Sequence, residues 1–421
     1  MNSVSSEQIE RARFIASYFD LREPFEACDF PDKGNINQQS YLITSGGPKN
    51  REQYILQQLN PGVFTNPDAV MNGMISCIRE QRRALAEGVL GPDEWETIRL
   101  IPTRNGKEYL VTSSESGKEC WRMMVRIRDA VAFRSLHEIT DPNTRVRVAE
   151  EAGRGLALFG NLTAGMDASS ITCPLPGYRD TELYYNQLLS ALAGHRSLED
   201  AQAYLPSDPE VRKSTERHFL VHLDPWEYRR RLEDPELHGC IDLALEQQSF
   251  AVQLIRKLKS GELKRVVIHG DTKLDNFLFS SRTGKVKALV DLDTIMPHTW
   301  LSDWGDMVRS LVNIAGERER DLEKIHVDQE ILRALAKGFL GAARNAGSRE
   351  IDLMVDAAQI VPLELGVRFL ADYLRGDSYF NLRSGEPQDL NKIRAMVQFR
   401  LFERARRMAD STRKIIESLY R

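Results

Sequence analysis

The stretch "VVIHGDTKLDNFLF", residues 266–279, decides how this chain is read. Two apolar runs, Val266–Ile268 and Phe277–Phe279, bracket a histidine, two aspartates, a lysine and an asparagine. Burying ionisable groups is costly unless they are paired or hydrogen-bonded. A polar stretch wedged between two segments that seek burial therefore needs a chemical reason.

Downstream, "NFLFS" (276–280) and "VKALVDLD" (286–293) flank the turn-prone "SRTGK", where Gly284 can take up a turn conformation. This predicts a hairpin whose second strand returns beside the polar loop and brings Asp291 to Asn276. Side chains alternate along a strand, so Asp291 and Asp293 are expected on one face. Asn276 and Asp291 offer hard oxygen donors of the kind Mg²⁺ takes alongside phosphate oxygens and water. Asp271 is then left free to accept a proton. A loop aspartate that handles a hydroxyl, with a loop asparagine and a later aspartate on metal, is the phosphoryl-transfer template.

Upstream, residues 1–20 read as an amphipathic helix. "QQSYLIT" (38–44) and "QYILQQL" (53–59) read as strands joined by the turn-rich "SGGPKN". Asn66 is placed to cap a helix that Pro67 opens. "WETIRLIPTRNGKEYLVT" (95–112) predicts a strand pair turned at Asn105-Gly106, and "ECWRMMVRIRDAVAF" (119–133) a further strand. From "NTRVRVAEEAGRGLALFGNLTAGM" (143–166) onward helices dominate, apart from the quoted stretch and its hairpin. The expected architecture is α+β, with a small antiparallel-sheet lobe over 1–127 and a larger, mainly helical lobe over 128–421.

With 421 residues, 42% hydrophobic and 28% charged, the chain can bury a substantial core. A formal charge of -4 and the lack of a basic tract argue against a nucleic-acid partner. No apolar run is long enough to span a bilayer. The N-terminal segment lacks the basic-then-apolar order of a signal peptide. Five scattered cysteines without a CxxC pair suggest reduced thiols in a cytoplasmic protein. His218 and His222 have the spacing of a metal pair on a helix but no accompanying HExxH glutamate, and ordinary helix-face histidines are the better reading.

"HGDTKLDN" follows the H-x-D-x-K-x-x-N spacing of kinase catalytic loops, and the chain resembles the aminoglycoside phosphotransferase and choline kinase-like small-molecule kinases. Within that group it looks closest to N-acetylhexosamine 1-kinases. "GNINQQSYLIT…YILQQLNPGVFTNP" resembles that branch's N-lobe, "GYRDTELYYNQ" its helical insertion and "LELGVRFLADYLRGDSYF" its C-terminal helices. The resemblance implies a two-lobed protein-kinase-like fold that uses ATP and Mg²⁺ to phosphorylate a small molecule, with neither membrane nor nucleic-acid polymer as partner.

It further implies Asp271 as catalytic base, Lys273 near the transferred phosphate, Asn276 and Asp291 on metal, and Asp303 bracing the loop from below. Arg368 and Tyr379 fall where the branch lines its acceptor-sugar pocket. His269 is titratable, but in such loops it more often braces the backbone. Arg368 and Asp372 have the i, i+4 spacing of a surface salt bridge, a competing role for Arg368.

Two departures stand out. The third strand offers Gln57 and Gln58 where kinases carry a phosphate-holding lysine. The phosphate-covering loop "DKGNINQQS" has one glycine, Gly34, so Gly34, Asn35 and Asn37 are its candidates, with Gln57, for contacting nucleotide. These departures are also what an inactive, ligand-binding relative would carry. The residues themselves leave open which alcohol is the acceptor: an N-acetylhexosamine, another sugar, choline, an aminoglycoside or homoserine. The short "LDTIMPHTWLS" after Asp291 leaves no room for a peptide-positioning loop.

Overall fold

The structure is a computed structural model that describes residues 5–31, 36–37, 39–47, 50–91, 93–114 and 117–420. Gly34 and Asn35 lie outside the described residues. The chain divides into two compact units, Met1–Ala130 and Val131–Arg421.

In the first unit, helix α1 (Ser6–Ala16) opens with a capping box between Ser5 and Gln8. Five antiparallel strands follow: β1 (Phe25–Asp29), β2 (Ser40–Ser45), β3 (Glu52–Gln58), β4 (Leu110–Ser114) and β5 (Gly117–Val125), in the order β1-β2-β3-β5-β4. Strand alternation sends Tyr41, Ile43, Tyr54, Leu56, Trp121 and Met123 into one core with Ala12 and Ile15 of α1. Helix α2 (Pro67–Ala86) begins where expected: the Asn66 side chain accepts from the Ala69 N–H at 3.1 Å.

The sheet corrects two expectations. Strand β1 was not foreseen, because "FEACD" buries only Phe25 on an edge position and carries too weak an alternation to read. Residues 95–103 do not form a ladder strand; they touch their neighbours through isolated bridges, Leu100 to Met124 and Phe19 to Thr103. Pro102 lacks the N–H that a continuous ladder needs. Strand β5 instead pairs with β4, and Asn105-Gly106 turns a short connector in which the Gly106 N–H reaches the Thr103 carbonyl at 2.8 Å.

The second unit contains helices α3 (Pro142–Thr163) and α4 (Thr181–Leu192) and several short helices. Strands β6 (Val266–Ile268), β7 (Phe277–Ser280), β8 (Val286–Leu289) and β9 (Met296–His298) follow. Helices α5 (Trp300–Val312), α6 (Gln329–Ala342), α7 (Met354–Arg375) and α8 (Leu390–Arg407) come next. Asp141 caps α3 at the Thr144 N–H, 2.8 Å away. Helix α3 packs along α6 so closely that a Cβ at Gly338 would stand 1.8 Å from the Glu150 carbonyl oxygen. Only glycine fits there.

Strands β7 and β8 form the expected hairpin, with Phe277 opposite Leu289, and β6 pairs antiparallel with β9. The strand stops at Leu289, however. Asp291 is left-handed (φ 64°) and Leu292–Thr294 form a 3-10 turn, so alternation does not place Asp291 and Asp293 on one face. Among the described residues no helix is long and apolar enough to cross a membrane. No disulfide joins the five cysteines, all of which lie among the described residues.

Candidate active site

Strand β6 delivers the chain into the polar loop, and the loop's backbone is gripped from several sides. The two oxygens of Asp303, on α5, accept the N–H groups of His269 and Gly270 at 2.8 Å each. Burial pushes the Asp303 carboxyl up to about 7, while these donors pull it back. Thr272 donates its hydroxyl to the Asp303 carbonyl at 2.6 Å and its N–H to Asp306 at 3.2 Å. Thr294 donates to the His269 carbonyl at 2.8 Å.

His269 is fully buried, edge-on to Phe159. Its Nε2 lies 2.9 Å from the Val290 carbonyl, so Nε2 carries the hydrogen, and Nδ1 accepts the Asp271 N–H at 3.3 Å. Burial lowers its pKa and keeps the ring neutral. The bracing reading of His269 matches this geometry.

Asp271 projects from the gripped backbone with about a quarter of its side chain exposed and pairs with the Lys273 ammonium at 2.9 Å. Asn276 turns its amide nitrogen to Asp271, 2.7 Å from the carbonyl and 3.2 Å from Oδ2. The hairpin brings Asp291 close, because the Val290 N–H bonds the Asn276 carbonyl at 2.9 Å. Burial opposes the charge on Lys273, yet Asp271, Asp275 and Asp291 hold its pKa above the ordinary lysine value. Asp271, Lys273, Asn276 and Asp291 are thus brought together, as the sequence spacing implied.

Three residues that the sequence reading did not single out complete the setting. Arg179, just before α4, has a left-handed backbone (φ 62°) and is buried. Its Nη2 donates to the Gly270 carbonyl at 2.9 Å and pairs with Asp306 at 2.9 Å. The Tyr178 hydroxyl donates to the same carbonyl at 3.1 Å, and burial pushes that phenol up to about 12. Asp306 joins Arg179 to Arg309, and Arg309 in turn pairs with Glu317, which also holds Arg394. The partners of Tyr178 and Arg179 lie far along the chain, whereas Asp306 and Arg309 stand at i, i+3.

Arg368 and Tyr379 also come together, with Nη2 3.2 Å from the tyrosine hydroxyl. The guanidinium lies 4.6–5.4 Å from the ring centroids of Tyr178, Tyr184, Tyr379 and Phe380. The i, i+4 salt bridge does not form. Asp372 turns instead to Arg375 at 2.9 Å and caps the N–H groups of Tyr379 and Phe380, building the turn that presents both rings. No carboxylate pairs with Arg368 within salt-bridge distance among the described residues.

His218 stands edge-on to Tyr379, with burial drawing it down to about 2, while His222 points to the Arg217 carbonyl. The two histidines do not form a ligand pair.

In the first unit, Gln57 faces the sheet side opposite the α1 core, and its Oε1 accepts from Arg122 on the neighbouring strand. The Asn37 side-chain oxygen is taken up by the Asn60 N–H at 3.0 Å.

A small five-stranded sheet followed by a mainly helical unit, with the catalytic-type loop between β6 and β7, defines a protein-kinase-like phosphotransferase. Residues 30–335 match the phosphotransferase enzyme family, and the chain belongs to it. Among solved structures, it resembles a microcompartment-associated aminopropanol kinase (12% identity, 96% of this chain and 98% of that one, TM-score 0.56). A Ralstonia eutropha protein described as an aminoglycoside phosphotransferase is similar over the same shares (13% identity, TM-score 0.50). These likenesses bear on the fold. The protein is a small-molecule kinase.

Proposed function

We propose that this kinase transfers the γ-phosphate of ATP, with Mg²⁺, to a hydroxyl of a neutral sugar, and specifically to the anomeric hydroxyl of an N-acetylhexosamine. The observation that carries the acceptor class is Arg368. A guanidinium stacked among aromatic rings without a paired carboxylate repels a cationic acceptor and donates hydrogen bonds to a neutral, oxygen-rich one. An ammonium acceptor would call for aromatic rings or carboxylates without the arginine.

In this reading Asp271, held in place by Asp303, His269 and Arg179, accepts the proton of the acceptor hydroxyl late in a loose transition state. A hemiacetal hydroxyl is more acidic than an ordinary alcohol and suits a carboxylate base. Lys273 supplies positive charge beside the transferred group.

The donor set fits magnesium. Asn276 commits its amide nitrogen to Asp271, leaving its oxygen as the donor, and the Asp291 carboxylate converges on the same neighbourhood. When bound, Mg²⁺ would neutralise charge on the phosphate oxygens. Replacing Asp291 by Asn should weaken Mg-nucleotide binding and turnover more than Asn276→Ala, because it removes a charge rather than a neutral oxygen. Equal or reversed effects at saturating Mg²⁺, measured by calorimetry and steady-state rates, would contradict these roles.

The acceptor is tested by coupled ADP release over N-acetylhexosamines, free hexosamines, hexoses, choline and aminoglycosides, followed by phosphorus–proton correlation NMR of the product. An acid-labile anomeric phosphate is expected, with loss of the reducing end. Transfer to choline or an aminoglycoside alone would sink the sugar reading and leave the kinase standing.

A further inference from the structure

The first unit resolves the missing third-strand lysine in a way the sequence does not announce. Gln57 of β3 and Arg122 of β5 are direct cross-strand partners and share one face of the sheet. Arg122 is 1% exposed and donates both Nε, at 3.1 Å, and Nη2 to the single Gln57 amide oxygen. Its Nη1 lies 3.3 Å from the Met74 sulfur on α2.

The Gln57 amide nitrogen donates to the Ser40 hydroxyl at 3.1 Å. A primary amide has two N–H groups; the second has no partner among the described residues. Gln57 is half-buried, so its amide stands between a buried positive charge and the accessible side of the strand. The two donors on its oxygen fix which way the amide faces, and the adjacent charge strengthens the N–H as a donor.

We propose that the Gln57–Arg122 pair is a nucleotide-phosphate contact. Gln57 donates its remaining N–H to an anionic phosphate oxygen, and Arg122 is the positioning residue that orients the amide. This rests on the reading that the protein uses a nucleoside triphosphate.

The test is calorimetric titration of the full chain with Mg-ADP, paired with the KM for ATP and for the acceptor. Wild-type protein that binds no nucleotide at all would defeat the nucleotide reading itself. Given wild-type binding, Arg122→Met is expected to weaken Mg-ADP affinity and raise the KM for ATP by about 10–100-fold, the loss of a hydrogen bond to a charged group. The acceptor KM should stay unchanged. Adding Gln57→Lys to Arg122→Met restores a cation at the strand and should recover most of the affinity; a merely structural arginine would not be rescued this way. Gln57→Met, at a half-buried site, gives the same readout should Arg122→Met fail to fold. Unchanged nucleotide affinity in Gln57→Met, or a double variant no better than Arg122→Met, overturns the proposal.

Discussion

Asp271→Asn should lower kcat by about 10²–10⁴-fold, the usual yield of a positioned general base, with Mg-nucleotide affinity retained. The substitution keeps the shape and the hydrogen-bonding reach of the side chain. The backbone at this position is fixed by groups that the change leaves alone: Asp303 on the two preceding N–H groups, His269 Nδ1 on its own, and Asp306 on the next. What is lost is the negative charge that takes up the hydroxyl proton. A variant that turns over like wild type in a coupled ADP-release assay would remove Asp271 from the chemistry.

Asp306→Asn is expected to cost about 3–5 kcal/mol of stability in urea unfolding, the range for breaking a buried ion pair from one side. Asp306 faces Arg179 at 2.9 Å and Arg309 at 2.7 Å, and all three side chains are buried. Removing one carboxylate strands two guanidiniums, with Glu364, 3.7 Å from Arg179, and Glu317 as the remaining counter-charges. Burial works to raise the Asp306 pKa, but Arg179 and Arg309 win and hold it well below the ordinary carboxylate range. A lowered carboxylate stabilises the fold above its unfolded value, near about 3.9, and stops doing so as pH falls through its depressed folded value. The gap between wild type and variant should therefore be full at neutral pH and narrow in acid. A neutral-pH gap within about 1 kcal/mol, the yield of an exposed pair, would show that the network does not bear on stability.

The polar loop and its hairpin were legible because their signals are local. A fixed spacing of polar residues, two apolar flanks and a glycine-bearing turn all lie within 28 residues, from Val266 to Asp293. The cap at Asn66 was readable for the same reason. What the sequence hid depends on distance along the chain. Arg179 lies 127 positions before Asp306, and Arg122 lies 65 from Gln57. A charged residue's partner cannot be inferred from its neighbours when the fold brings the two together. The i, i+4 reading of Arg368 with Asp372 failed in the opposite way, because a local rule was displaced by the turn at Tyr379, which claims the carboxylate for its own N–H groups.

Gly270 sits in the left-handed region (φ 84°), and a Cβ there would stand 2.6 Å from the Thr294 carbonyl oxygen. The middle position of this loop is therefore closed to any side chain, on conformation and on space. Protein kinases place an arginine at that position in their H-R-D loops. Here the guanidinium arrives from outside the loop, as Arg179 on the Gly270 carbonyl. A guanidinium thus bears on the loop's backbone from a separate segment, paired with Asp306, rather than from the loop's own sequence. A single loop substitution cannot restore the protein-kinase arrangement, since an arginine at 270 would need a left-handed backbone and the retreat of Thr294 at the same time.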